Sequence, residues 1–174
     1  MVFAANGWSA SMDQVAAAAE VVRPTVYRHF DGRDDLLLAM VIRSAGRLAV
    51  RLDEVFESDR PWPDRLEEAI VVVVTELRVT PHLAALVRTG EVTTAFPAVD
   101  ADRTFTDTAI EYFRGWLDRA AADGLRFRAP VPDVADWLLR TTVMQLTIPG
   151  LYGDTLERLR YEIETFVLPA IVEG

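Results

Sequence analysis

Apolar residues along this chain recur at spacings of three, four and seven rather than two, the mark of helices that bury one stripe. Leu37, Met40, Val41, Leu48, Leu52 and Val55 lay out such a stripe and predict a long helix over Asp34–Glu57. Leu66, Ala69, Ile70, Val73 and Leu77 predict a second, from a cap at Asp64 to about Val79. Its run Ile70-Val71-Val72-Val73-Val74 would alone read as a buried strand. The helical spacing on both sides makes it the enclosed, central helix of a bundle instead. Thr80-Pro81 should end it, with a short helix over His82–Thr89 and a loop over Gly90–Ala98.

Phe105, Ala109, Tyr112, Phe113 and Trp116 share a face and predict a helix over Asp102–Asp123, stopped by Gly124. Pro130-Val131-Pro132-Asp133 opens another, ending at Pro149-Gly150. Asp154 is expected to cap a last helix that carries Leu156, Leu159, Ile163, Phe166, Val167 and Ala170, with Pro169 kinking its end. No hairpin pattern interrupts the series. The fold class expected is all-α.

Before this body come two shorter helices. Ser11-Met12-Asp13-Gln14 has the S-x-x-Q form of a capping box, so the first begins near Met12 and runs through Ala16–Ala19. A break follows near Glu20–Val22, and the second helix starts with Pro24 in its first turn, where a missing N–H costs nothing. Asp31-Gly32 ends it. Two short helices joined by a tight turn form a helix-turn-helix candidate. A helix entering the major groove needs donors for base edges and phosphates on one side and an apolar face on the other. In VVRPTVYRHF, Val26 and Phe30 share the inner face at i, i+4, which leaves Arg23, Tyr27 and Arg28 to point elsewhere.

Charge qualifies this reading. All eighteen basic residues are arginine, the net charge is −9, and cysteine is absent, which excludes disulfides and thiol catalysis. A protein that coats nucleic acid generically would be basic overall. Met1–Arg43, however, holds four arginines against five carboxylates, while the remainder holds fourteen against twenty-two. A near-neutral head on an acidic body fits a small DNA-reading module. No apolar run reaches the ~18 residues of a membrane helix, and no signal peptide is visible at MVFAANGW, so a soluble, cytoplasmic protein is expected.

Phe3-x-x-x-Gly7-Trp8, Ser11-Met12-Asp13-Gln14-Val15-Ala16, Pro24-Thr25-Val26-Tyr27-Arg28-His29-Phe30 and Arg33-Asp34-Asp35-Leu36-Leu37 together resemble the DNA-binding domain of the TetR family of transcriptional regulators. The resemblance covers about residues 3–45. It implies a helix-turn-helix head at 1–45, an effector-binding and dimerisation body at 46–174, and a homodimer on double-stranded operator DNA. By position it assigns Arg23 and Thr25 to groove contacts and Tyr27, His29 and Arg33 to phosphates, with Arg28 beside them. His29 has a second reading as a hydrogen-bonding lock between helices, and Arg33 as a solvated charge offset by Asp34 and Asp35.

The chain departs from the family pattern in three places. Glu20 stands where the turn usually has glycine, Val22 stands where a capping Ser or Thr is usual, and only Val2–Asn6 remains of a first helix of several turns. That last departure is expected to leave Val15 and Val26 short of cover, as though the sequence began late within the motif.

For a small, largely apolar effector the candidate lining is Leu86, Phe96, Phe105, Tyr112, Trp116, Trp137 and Met144, with Thr141, Thr142 and Gln145 to orient it. Back-bonding to helix carbonyls is the other reading of those polar groups. The stripes containing Val134, Leu138, Leu159, Ile163, Phe166 and Val167 could form an isologous four-helix dimer interface or serve intrachain packing. Catalysis finds little support. His29 and His82 are the only histidines, neither at metal-binding spacing, and there is no phosphate loop or nucleophile elbow. Glu67-Glu68 and Glu162/Glu164 read as solvated helix faces. No cofactor or metal is expected. The expected function is a DNA-binding repressor released by its effector; the alternative is a TetR-like ligand-binding protein whose DNA binding is weakened or lost.

Overall fold

Ser11 starts the first described helix as the sequence requires. Its hydroxyl accepts from Gln14 N at 3.2 Å, and Gln14 Oε1 accepts from Ser11 N at 2.8 Å, closing a reciprocal capping box. The computed structural model describes residues 2, 10–81, 83–85, 97, 100–148, 150 and 155–173. Their helices are α1 Met12–Ala18, α2 Arg23–His29, α3 Arg33–Phe56, α4 Trp62–Val79, α5 Thr104–Ala122, α6 Val131–Thr147, α7 Leu156–Glu162 and α8 Leu168–Ile171, with a π-helical turn over Ile163–Val167. An isolated antiparallel bridge, Phe127 with Val172, is the extended pairing found among the described residues. The fold is all-α.

The chain divides into two compact units, Met1–Arg47 with Leu77–Phe105, and Leu48–Glu76 with Thr106–Gly174. In the first, Ala10, Met12, Ala16, Val26, Leu36, Leu37 and Leu83 form the core, with Val2, Val15, Phe30, Met40, Val41 and Leu77 packed against it. Val26 is therefore well covered, contrary to expectation, because Leu36, Leu37 and Leu83 supply the apolar surface; Val15 is half-buried.

The second unit is built around α4, where Val71 to Val74 are all buried, as a helix apolar on every side must be. Phe56, Leu117, Val134 and Ile163 are likewise almost fully buried. Phe56 stacks on Trp116 at 4.9 Å, and Arg65 donates to the carbonyl of Phe56, closing the end of α3. Gly124, at φ +100°, stops α5.

Four local expectations need correction. Helix α4 starts at Trp62, which places Asp64 inside its first turn rather than at the cap. The cap of α7 is Thr155, whose hydroxyl accepts from Arg158 N; Asp154 lies outside the described residues. Glu67 is buried, not solvated, because Arg160 reaches across to both Glu67 and Glu68 at 2.7 Å. Glu162 is engaged by Arg158 at 2.7 Å and Gln145 at 3.2 Å.

The last helix is irregular before Pro169 rather than after it. Proline has no N–H for the carbonyl of Thr165, and its ring crowds that carbonyl. The turn before it widens, and Leu168 N donates to Ile163 O, five residues back. Arg128 then closes the helix end by donating to Pro169 O at 2.8 Å and Val172 O at 3.0 Å. Of the segments expected at His82–Thr89 and Gly90–Ala98, Leu83–Ala85 are helical and nearly all the rest lies outside the described residues.

Candidate nucleic-acid interface

The turn between α1 and α2 determines which way the second helix faces. Val21 N donates to Ala16 O at 3.0 Å and Glu20 N to Ala17 O at 3.2 Å, the paired bonds of a Schellman end. That geometry requires a left-handed residue, and Glu20 supplies it at φ 55°. A side chain there costs on the order of 1 kcal/mol relative to glycine. Val22 takes the cap position of α2 with no side-chain hydrogen bond, so the cap contributes only its carbonyl, which accepts from Thr25 N at 2.9 Å. Both departures seen in the sequence are real in the structure, and the helix-turn-helix nevertheless closes.

With Val26 buried and Phe30 half-buried, α2 turns Arg23, Tyr27, Arg28 and His29 to solvent and leaves Thr25 partly covered. These exposed groups form a mixed face of donors and an aromatic ring. Arg23 is ordered on it. Its Nη1 lies 3.2 Å from Asp13 Oδ1 and 3.3 Å from Asp13 Oδ2, and its Nη2 donates to the Tyr27 hydroxyl at 3.3 Å. The guanidinium carbon sits 5.2 Å from the centre of the Tyr27 ring. Tyr27 first and Asp13 second raise the Arg23 pKa further, which keeps the group cationic. Arg33, the first residue of α3, is half-buried, and its Nε is buried without a hydrogen-bond partner among the described residues. Asp35 does not neutralise it simply, since its carboxylate accepts from Asp31 N at 3.1 Å.

The second unit holds a cavity of about 40 Å³ lined by Phe56, Leu66, Ala69, Ile70, Val73, Phe113, Leu117, Leu138, Leu139 and Thr142. That is room for little more than a water-sized group, far below the several hundred Å³ of a ligand pocket. The lining is apolar apart from Thr142, whose hydroxyl is turned back onto Leu138 O at 2.8 Å.

Among the described residues, Thr142 is the one effector-site candidate from the sequence that borders this cavity, and its hydroxyl follows the back-bonding reading. Leu86 and Phe96 lie outside the described residues. Trp116 is buried behind Phe56, with Arg119 4.3 Å from its ring centre. Trp137 and Met144 are exposed, Thr141 is buried, and Phe105 is half-buried. Gln145 is occupied by Glu162. The Tyr112 hydroxyl donates to Asp53 Oδ1 at 2.7 Å and also lies 3.1 Å from Ala49 O. Burial first, and the bond to Asp53 second, push its pKa well above the ordinary tyrosine value.

The stripe assigned to a dimer interface is corrected in the same way. Val134, Leu138, Leu159, Ile163 and Val167 are buried within the chain itself; of that set Phe166 stays exposed. The outward apolar residues here are instead Trp137 and Met144 on α6, Ile148 just past its end, and Leu156, Tyr161 and Phe166 after it. Sequence reasoning also missed Asp13, because a contact between residues ten apart on two different helices leaves no helical spacing to detect.

Residues 1–40 match the family model described as bacterial regulatory proteins, tetR family. Solved structures resemble the chain over nearly its whole length. A TetR-family transcriptional regulator from Pectobacterium atrosepticum is 18% identical with a TM-score of 0.75, covering 99% of this chain and 90% of that one. The ketosteroid transcriptional regulator KstR2 of Mycobacterium tuberculosis is 15% identical with a TM-score of 0.61, covering 99% and 90%. AibR, solved in complex with isovaleryl coenzyme A and operator DNA, is 17% identical with a TM-score of 0.60, covering 92% and 89%. At these identities the likeness establishes the fold. Among curated proteins none matches this sequence.

Proposed function

We propose that this chain, whose residues 1–40 match the tetR-family model and whose fold resembles a TetR-family regulator, is a homodimeric transcriptional repressor released from its operator by a small, largely apolar effector. The observation that carries the reading is α2 itself: Val26 and Phe30 are committed to the core, and Arg23, Tyr27, Arg28 and His29 face solvent together. Residues 1–45 act as the reading head and 46–174 as the effector and dimerisation body. Two copies of α2 would enter successive major grooves about 34–36 Å apart. Arg23 and Thr25 take the groove, while Tyr27, Arg28, His29 and Arg33 take phosphates.

The body's small apolar cavity supports an uncharged, hydrocarbon-rich effector over a polar one. Among the named relatives, one is called a ketosteroid regulator and another was solved with an acyl coenzyme A. A ligand larger than the cavity must push its walls apart, and Phe56 at the end of α3 is one of them. Displacing Phe56 moves the same helix that begins at Arg33, and the effector acts by binding the displaced state better. The copies would meet through the outward row Trp137, Met144, Ile148, Tyr161 and Phe166, which one chain leaves uncovered.

Titration of labelled operator tests the reading. Arg28→Ala should weaken binding to all duplexes alike, and Arg23→Ala should in addition flatten base preference. Unchanged affinity in both variants would sink it. The second reading, a ligand-binding relative with weakened DNA binding, draws on the uncapped Val22 beside Arg23. It predicts that Val22→Ser restores operator affinity to a chain that otherwise binds effector only.

A further inference from the structure

Asp13 is an odd residue to place beside a DNA-reading arginine. An acidic side chain on that surface repels phosphate unless its charge is used. In this chain it is used: the carboxylate on α1 holds Arg23 Nη1 through both oxygens, at 3.2 and 3.3 Å, while Tyr27 on α2 holds Nη2 at 3.3 Å. Both partners of the ion pair are more than half exposed, 58% and 66%, so the contact contributes little to folding. Asp13 also suits the positive end of α1, but any carboxylate in that turn would serve there without reaching Arg23.

What the arrangement does is order a long, flexible cation at the start of α2. An arginine side chain loses much rotamer freedom when it binds, and a guanidinium presents five donors in a fixed plane. With Nη1 held by the Asp13 carboxylate and Nη2 by the Tyr27 hydroxyl, the group keeps N–H donors free for a further acceptor and is biased against swinging away to a distant phosphate. Its positive charge is also offset locally, so it adds little to the salt-dependent attraction that treats all sequences alike.

We infer that Asp13 is a positioning residue for base readout, buttressing Arg23 from α1 so that its remaining donors address the edge of one guanine in each half-site. Tyr27 is the second arm of the same clamp. This rests on the proposed operator-binding function. It deepens that function by making discrimination, rather than affinity, the quantity that Asp13 controls.

The test uses the full chain and a duplex enriched from a random pool by the wild-type protein. Specific and non-specific affinities are measured across a salt series for wild type, Asp13→Ala, Asp13→Asn and Tyr27→Phe, with helicity checked by circular dichroism. Asp13→Ala should tighten binding to non-specific duplex, steepen the salt dependence by about one counterion, and lower the specific to non-specific ratio by about tenfold. Asp13→Asn, which keeps an acceptor and loses the charge, should steepen the salt dependence equally while retaining part of the ratio. Tyr27→Phe should lower the ratio without altering the salt dependence. If Asp13→Ala tightens specific and non-specific binding equally, the carboxylate is a counter-charge and the inference fails while operator binding stands. An unchanged ratio fails it too. If wild type enriches no duplex, the operator-binding reading itself fails and the inference falls with it.

Discussion

Glu20 and Val22 sit side by side in the turn that orients α2, and each works against the structure it is part of. Glu20 holds φ 55° with a full side chain, and Val22 offers α2 no oxygen. Glu20→Gly should therefore stabilise the fold by about 1 kcal/mol, and Val22→Ser by a similar amount, ~1 kcal/mol. Denaturant midpoints with unchanged m-values check both, and a loss of stability in either would show that the turn is held by something else. Tyr112 gives a residue-scale prediction of a different kind. Its pKa is raised, so its contribution is fully present below the unfolded tyrosine value of about 10 and is lost as pH climbs above it. Ultraviolet titration should show one of the four tyrosines ionising late, with the late step missing in Tyr112→Phe. That variant should also lose about 1–2 kcal/mol, because half-buried Asp53 is left without its donor. Individual side chains were the least legible part of the sequence. Glu67 reads as solvated from its helix alone, and only the fold reveals Arg160, ninety-three residues away, closing over it.

At the scale of elements the sequence was far more informative. The run Ile70–Val74 favours a strand by composition, yet spacing on both sides assigns it to helix, and every one of its residues is buried in α4. The capping box, Pro24 in the first turn of α2 and Gly124 at the end of α5 were equally readable, because each is a local demand of the backbone. Legibility ended where a helix meets its neighbours. An apolar stripe declares that something covers it, not whether the cover is the same chain or another copy, so Val134, Leu159 and Ile163 were open to both readings until packing placed them in the core. The π-helical turn before Pro169 was hidden for a similar reason: proline announces a disturbance, and packing decides where it is absorbed. The joint between α4 and the last helices depends on Arg160 reaching Glu67 and Glu68. Arg160→Ala should cost about 2 kcal/mol or more, since Glu67 stays buried with its charge uncompensated. Glu68→Gln, which alters the more exposed of the two carboxylates, should cost well under half as much in thermal melts of both variants. Equal losses would mean that Glu68, not buried Glu67, carries most of the contribution of the arginine.

Over the whole molecule, an acidic chain of net charge −9 has an N-terminal segment that is close to neutral. Under the proposed function, non-specific attraction to DNA is therefore weak, and binding must depend on paired, specific contacts. Those contacts are expected only where two copies of Arg23, Tyr27 and their neighbours reach two half-sites together. The most direct test is selection from a random duplex pool by the purified chain at physiological salt, followed by titration of the enriched sequence. The account predicts a dyad-symmetric site bound by two chains, with enrichment abolished in Arg23→Ala and binding reversed by an apolar effector. A pool that emerges unenriched, or an asymmetric site bound equally well by Arg23→Ala, would contradict it.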